Sequence, residues 1–364
     1  MSATPQQALD WLAGQGQAME ALLQRIVDTD SNSYDKAGVD AIGALLAAEL
    51  EADGILLTFM PVDDFGDVIL AEVPGKAAKP VLLLGHRDTV FPDMKGGLVL
   101  NCFALKALKR AGELPYPVQV LYTGDEEIGS GSARIHIEKA ARGARAVLNT
   151  EPGRASGNVV SARKGGATLV IEVSGRAAHA GVNHADGASA IEALARKVIK
   201  LHALTDYAAG ITTNVGLICG GTSSNTVAPG ASARLDVRFI ELKHWDRLFA
   251  LIQAIVDEEE LVGTHAVLKE ATTFLPMEAR HSERLLHLYQ QNAARALGFS
   301  VEGEFTGGCA DSGFTASLGI PTLCGLGPVG GKVHTDHEYL ELDTLVPRAL
   351  ALVATILGIG ESGG

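Results

Sequence analysis

Apolar residues recur at helical spacing over residues 5–27 and again over 36–52, where the run stops at Asp53-Gly54. Short strand-like runs follow at 55–60, 68–72 and 80–85. Beyond them the pattern becomes regular, predicting a helix over 94–111, a strand over 118–123, a helix over 132–141 and a strand over 145–149. That alternation predicts an α/β fold: a mostly parallel sheet with helices on both faces, whose functional edge lies beyond the carboxyl ends of its strands.

The texture shifts near Arg163. Strand 167–173, helix 187–204, strands 211–219 and 231–240, helix 243–260 and strand 265–269 make a compact two-layer set. It reads as a smaller α/β domain inserted over 163–271, with 1–162 and 272–364 forming one domain around it. The first pattern then resumes with helix 281–297, helix 311–318, a short strand 321–324 and a final helix 343–358 rich in Leu, Ala and Ile. A chain of 364 residues exceeds what one hydrophobic core usually organises, which agrees with two domains. With 47% apolar and 20% charged residues, neither disorder nor a small stapled scaffold fits.

The balance of 43 acidic against 30 basic residues, a formal charge of -13, repels nucleic-acid phosphates and anionic membrane surfaces, so neither is expected as a partner. No apolar run approaches the ~20 residues that span a bilayer, and the polar start Met1 to Gln7 lacks the features of a signal peptide. A cytoplasmic chain is the expectation. Cys102, Cys219, Cys309 and Cys324 are widely spaced, form no C-x-x-C pair and sit in apolar stretches, which predicts reduced, buried thiols.

The apolar run Val81-Leu82-Leu83-Leu84-Gly85 predicts a buried strand that delivers His86-Arg87-Asp88 at its carboxyl end. Period-two geometry puts His86 and Asp88 on one side, where the carboxylate can hold the second ring N–H of a metal-ligating imidazole. Taken alone, the pair is weak evidence and reads first as a surface His–Asp contact. Strand 118–123 runs into Gly124-Asp125-Glu126-Glu127-Ile128-Gly129-Ser130, three acids in one turn. Adjacent like charges at a buried strand end are destabilising unless a cation neutralises them, and two such carboxylates can divide the work of metal ligand and general base. A solvated acidic turn is the other reading.

Strand 145–149 ends at Glu151-Pro152-Gly153, and Asp93 opens the helix at Met94-Lys95-Gly96-Gly97, where it suits a helix N-cap as well as a ligand. Near the end, Gly330 to Tyr339 places His334 and more acids in a Gly-rich loop. Four segments of one sheet thus offer His or carboxylate at its functional edge. Hard carboxylates mixed with imidazole, without thiolates, suit Zn²⁺, Mn²⁺ or Co²⁺, in a number sufficient for two ions sharing a bridge.

The ordered succession GHRDT, DMKGG, TGDEEIGS, NTEPG, RAAHAG, SNTVAP, DVRF and VHTDHEY resembles the M20 family of dinuclear zinc amidohydrolases, most closely its glutamate carboxypeptidase type, over nearly the whole chain. The resemblance implies a catalytic α/β domain interrupted by a smaller lid domain through which such enzymes commonly dimerise. It implies two zinc ions, with His86 and Glu151 as ligands of one, Glu127 and His334 of the other, and Asp93 as the bridge. Asp88 would orient His86. Glu126 would be the general base, taking a proton from the attacking water and delivering it to the leaving nitrogen. His179 of the HAG motif resembles the lid-domain donor to the oxyanion, supplied by the partner subunit in dimeric members. Asn225 and Arg238 resemble groups that hold the substrate's terminal carboxylate, a task suited to a guanidinium fork, and Gly307-Gly308 stand in a substrate loop ahead of Asp311. His184 and His337 match no ligand of the family and read as loop histidines.

Between Thr89-Val90-Phe91-Pro92 and Asp93-Met94-Lys95 the family has a further loop on the order of twenty residues that this sequence lacks. The expectation is that residues are missing between Pro92 and Asp93, although the step from Asp88 to Asp93 spans up to ~17 Å extended and still lets Asp93 reach the metals. The expected activity is metal-dependent cleavage of a small-molecule or peptide amide to release an amino acid with a free carboxylate, such as a C-terminal glutamate. The rivals are a deacylase of the acetylornithine or succinyl-diaminopimelate kind and a non-catalytic binding protein that keeps the fold.

Overall fold

The structure is a computed structural model that describes residues 4–89, 94–333 and 335–359. Asp93, the step from Pro92 to it, and His334 lie outside the described residues.

Thr4 caps the first helix, α1 (Pro5–Ala13), through a reciprocal pair of bonds with Gln7, and Pro5 supplies a preset φ at its start. The stretch expected as one helix is two, because Gly14 turns back to bond the carbonyls of Trp11 and Leu12 and α2 (Gly16–Val27) starts afresh. Asp35 caps α3 (Lys36–Glu51). Then come β1 (Leu56–Met60), β2 (Val68–Val73), β3 (Val81–His86), α4 (Lys95–Arg110), β4 (Val118–Thr123), α5 (Arg134–Ala141), β5 (Ala146–Asn149) and β6 (Val159–Arg163). The middle of the chain gives β7 (Gly165–Ser174), α6 (Ala190–His202), β8 (Thr212–Gly220), β9 (Gly230–Phe239), α7 (Trp245–Asp257) and β10 (His265–Phe274). The last part holds α8 (Glu283–Leu297), β11 (Gly303–Thr306), α9 (Ser312–Ser317), β12 (Thr322–Leu323), β13 (Gly330–Gly331), β14 (Tyr339–Leu340) and α10 (Leu345–Gly358).

These elements fall into two compact units: Met1–Arg163 with Met277–Thr306 and Ala310–Gly364, and Lys164–Pro276 with Gly307–Cys309. The first holds a six-stranded sheet in the order β1-β2-β4-β3-β5-β12. β4, β3, β5 and β12 pair in parallel, while β2 joins β4 and β1 joins β2 antiparallel. Every residue of β3 is buried, as a central strand covered on both faces requires. Leu83 pairs with Val120 on one side and Leu148 on the other, and this layer joins Leu98, Phe103 and Leu352 in the core. Register places His86 opposite Thr123 and Leu84 opposite Asn149, so the loops after β3, β4 and β5 leave from one edge.

The second unit is an antiparallel sheet in the order β10-β7-β9-β8. Leu169, Ile171, Leu235 and Val237 pack with Leu194 of α6 and Ile252 of α7. β10 runs on to Phe274 through an irregularity between Glu270 and Thr272, past the expected strand end at 269. Four strands among the described residues escape the sequence pattern: β6 and β11 pair in parallel, and β13 and β14 pair antiparallel. The cysteine expectation needs correction. All four thiols are reduced, but only Cys102 and Cys324 are buried; Cys219 is exposed on the edge strand β8 and Cys309 is half-buried in a loop. No helix among the described residues is long and apolar enough to cross a membrane.

Candidate metal centre

β3 delivers His86 into an enclosed position, 3% exposed, with an acid at each ring nitrogen. Nδ1 lies 3.4 Å from Oδ1 of Asp88, the neighbour that strand alternation puts on the same side. Oδ2 of Asp88 accepts from the Ser33 hydroxyl at 2.9 Å and from the Glu127 backbone N–H at 3.0 Å, so one buried carboxylate ties the end of β3 to the acidic turn after β4. On the far side of the ring, Nε2 stands 3.4 Å from Oε1 of Glu151 and 3.7 Å from Oε2 of Glu126. His86, Glu126 and Glu127 each bring a donor atom within 4.8 Å of the others. Glu127 is the exposed member of this group, while Oε1 of Glu151 is buried with no aligned hydrogen bond.

The three acids of the turn have different fates. Asp125 folds back on its own loop, its Oδ2 accepting from the N–H groups of Ser132 at 2.6 Å and Ala133 at 3.3 Å. Glu126 and Glu127 are thereby left to face His86. The turn closes through Gly129 and Ser130 in the left-handed region, φ 105 and 55, and the cost of that conformation for Ser130 is offset by its bonds. Its N–H reaches the Asp125 carbonyl at 2.7 Å, and its hydroxyl donates to Oδ1 of Asp311. Asp311 and Ser33 are site residues that the motif reading does not assign. Behind the turn, the other flank of β3 is braced as well: the Ser31 hydroxyl donates to the Thr89 carbonyl at 2.6 Å, and Nζ of Lys95 to the Thr29 carbonyl at 2.9 Å.

The electrostatics follow from burying too many acids together. Asp88, Glu126, Glu151 and Asp311 are buried around the one imidazole, and Asp125 is buried in the same turn as Glu126. Burial alone would depress the His86 pKa, but the charges of Glu126, Asp88 and Glu151 outweigh it and hold the ring well above the usual range. Burial opposes the charged forms of Asp88 and Glu151 too, yet both stay below the ordinary carboxylate range because of His86, helped by Ser33 for Asp88 and by the Arg163 charge for Glu151. Glu126 goes the other way. Desolvation, with repulsion from Glu151, Asp311 and Glu127, drives it well above the ordinary value, and burial pushes Asp311 up to about 7. Mutual repulsion among these carboxylates is what added positive charge would relieve. Imidazole and carboxylate donors, an orphaned buried oxygen and an excess of negative charge together fit a hard or borderline divalent metal.

The remaining candidates lie in the second unit. His179 is exposed at a turn where its Nδ1 accepts from the Gly181 N–H at 3.1 Å, so the neutral ring carries its proton on Nε2. Asn225 is brought beside it: the Ala180 N–H donates to the Asn225 carbonyl at 2.9 Å, and His179 pairs with Thr226. Arg238 points from the open face of β9 and reaches Cys309, next to Gly307 and Gly308. His184 lies in a single helical turn, and His337 is an exposed loop residue.

Residues 92–358 match the family described as peptidase family M20/M25/M40. Carboxypeptidase G2 of Pseudomonas sp. strain RS-16 is 28% identical over 375 aligned positions, covering 93% of this chain and 89% of the relative. Succinyl-diaminopimelate desuccinylase of Granulibacter bethesdensis is 25% identical, with 89% and 94% covered. Among solved structures, the aminopeptidase PepT of Bacillus cereus superposes with a TM-score of 0.73 at 20% identity, covering 94% of this chain and 98% of that one.

Proposed function

Since the chain belongs to peptidase family M20/M25/M40 and is a hydrolase of amide bonds, we propose that it is a dinuclear zinc enzyme that releases an amino acid with a free carboxylate from an N-acyl or peptide substrate. The observation that carries this reading is the crowd of buried carboxylates around His86, which only added positive charge can satisfy without protonation. His86 and Glu151 would hold one ion, Glu127 and His334 the other, with Asp93 between them. Cations of this kind, when bound, act as Lewis acids and bring the pKa of water toward neutrality.

The chain's own groups account for the rest. Asp88 faces Nδ1 of His86, which leaves the Nε2 lone pair directed at the side where Glu151 and Glu126 lie. Burial and the neighbouring acids raise the Glu126 pKa, and added positive charge beside it would favour its carboxylate form, so it can accept a proton from the attacking water and return it to the departing nitrogen. By the resemblance, His179 would offer Nε2–H to the oxyanion of the partner subunit's substrate in a dimer, and Asn225 with Arg238 would receive the product carboxylate. The resemblance of its motifs to the glutamate carboxypeptidase type favours glutamate as the released amino acid. We place the enzyme in the cytoplasm as a homodimer joined through the second unit, whose edge strand leaves Leu217 and Ile218 exposed. Following glutamate release from an N-acyl glutamate tests the reading: chelation should abolish it and zinc restore it, while turnover that survives chelation contradicts it.

A further inference from the structure

β9 alternates buried and half-exposed residues, so Asp236 and Arg238 stand side by side on the sheet face opposite the packed helices. Asp236 grips the guanidinium along one edge. Nε donates to its two carboxylate oxygens at 3.0 and 3.2 Å, and Nη2 donates to Oδ2 at 2.8 Å. At the other terminus Nη1 donates to Sγ of Cys309 at 3.0 Å. Gly166 lies opposite Arg238 on β7 and leaves the space that this arrangement fills: a Cβ there would stand 2.8 Å from Sγ, 3.0 Å from Nη1 and 3.1 Å from Cδ of Arg238. The guanidinium is therefore held by an acid at one edge, a thiol at one end and bare backbone beneath.

Donor counting then limits what Arg238 can bind. Asp236 engages Nε and one N–H of Nη2, Cys309 engages one N–H of Nη1, and a single N–H remains on each terminal nitrogen. Two such donors match the two oxygens of one planar carboxylate. They leave nothing for the extra oxygen of a sulfonate or phosphonate. Since Asp236 also offsets the charge of Arg238, attraction comes from aligned donors rather than from net charge.

Resting on the reading of Arg238 as the carboxylate receptor, we propose that Asp236 is a positioning residue that, with Cys309, presets the Arg238 fork and makes this subsite selective for a planar monocarboxylate. The experiment compares zinc-loaded wild type, Asp236→Asn and Arg238→Met on an N-acyl amino acid, its carboxamide and its sulfonate analogue. For Asp236→Asn the carboxylate KM should rise on the order of tenfold while kcat and the carboxamide KM hold, so that the preference for carboxylate over both analogues collapses. Gly166→Ala, which presses on the same guanidinium from below, should give the same signature and serves if Asp236→Asn does not fold. An unchanged carboxylate preference in Asp236→Asn, or in Gly166→Ala standing in for it, overturns the proposal. If Arg238→Met keeps that preference, the assignment of Arg238 as receptor fails instead, and the two failures are told apart.

Discussion

Asp88 shows how much one side chain can be asked to do: it faces the ring of His86 with one oxygen and holds Ser33 and the Glu127 N–H with the other. Removing the Ser33 hydroxyl leaves that oxygen with one donor fewer. In Ser33→Ala we expect zinc affinity to fall roughly tenfold, measured by competition with a chelating dye, with the fold intact by circular dichroism. Glu126→Gln keeps size and polarity but cannot accept the proton. Its kcat should drop about 10²–10⁴-fold while bound zinc and KM stay near the parent values. At this scale His86, Asp88, Glu126, Glu127 and Glu151 are legible because each follows directly from a buried strand. Ser33 and Asp311 are not, since their partners lie 55 and 181 residues away and no local pattern marks them. Asp236 was within reach, being two positions from Arg238 on one strand face, yet a strand-surface Asp signals nothing until its partner is known.

Among the elements, α4 matters most to the site, because its first turn packs against the end of β5. A Cβ on Gly97 would overlap the Thr150 carbonyl, the residue before Glu151. Gly97→Ala should cost about 1–3 kcal/mol in thermal or denaturant unfolding and weaken zinc binding along with it. The other end of α4 is pinned to the turn after α3, where Arg110 donates to Asp53 at 2.6 Å and Lys106 stands 3.5 Å away. Burial resists the charge on Asp53, but these two cations outweigh it and keep its carboxyl below the ordinary range. A depressed folded-state pKa gives stabilisation that is complete above the unfolded value and disappears as pH falls through the folded one. Asp53→Asn should therefore be less stable than the parent by up to about 1 kcal/mol near neutral pH, with the gap closing in acid, as read from urea unfolding across a pH series. The long helices and the buried strands β3, β4 and β5 could be read from periodicity. β6 and β11 could not, being short and half-polar, and the break between α1 and α2 rests on a single Gly14.

For the whole molecule, the proposed dimer rests on an exposed sheet edge. Among the described residues β8 pairs only with β9, and a register shift between Val215 and Leu217 leaves Leu217 and Ile218, successive residues, 61% and 55% exposed. Wild type should sediment as a dimer, and the double substitution Leu217→Lys with Ile218→Lys should shift it to a monomer. The central claim concerns charge in the other unit: acids crowd one imidazole in a protein that already carries a formal charge of -13. Metal analysis of the purified chain after zinc loading and removal of free ion tests it most directly. Two zinc ions per chain, falling when His86→Ala or Glu151→Gln is introduced, is the expected result; a folded wild-type chain that retains none would contradict it.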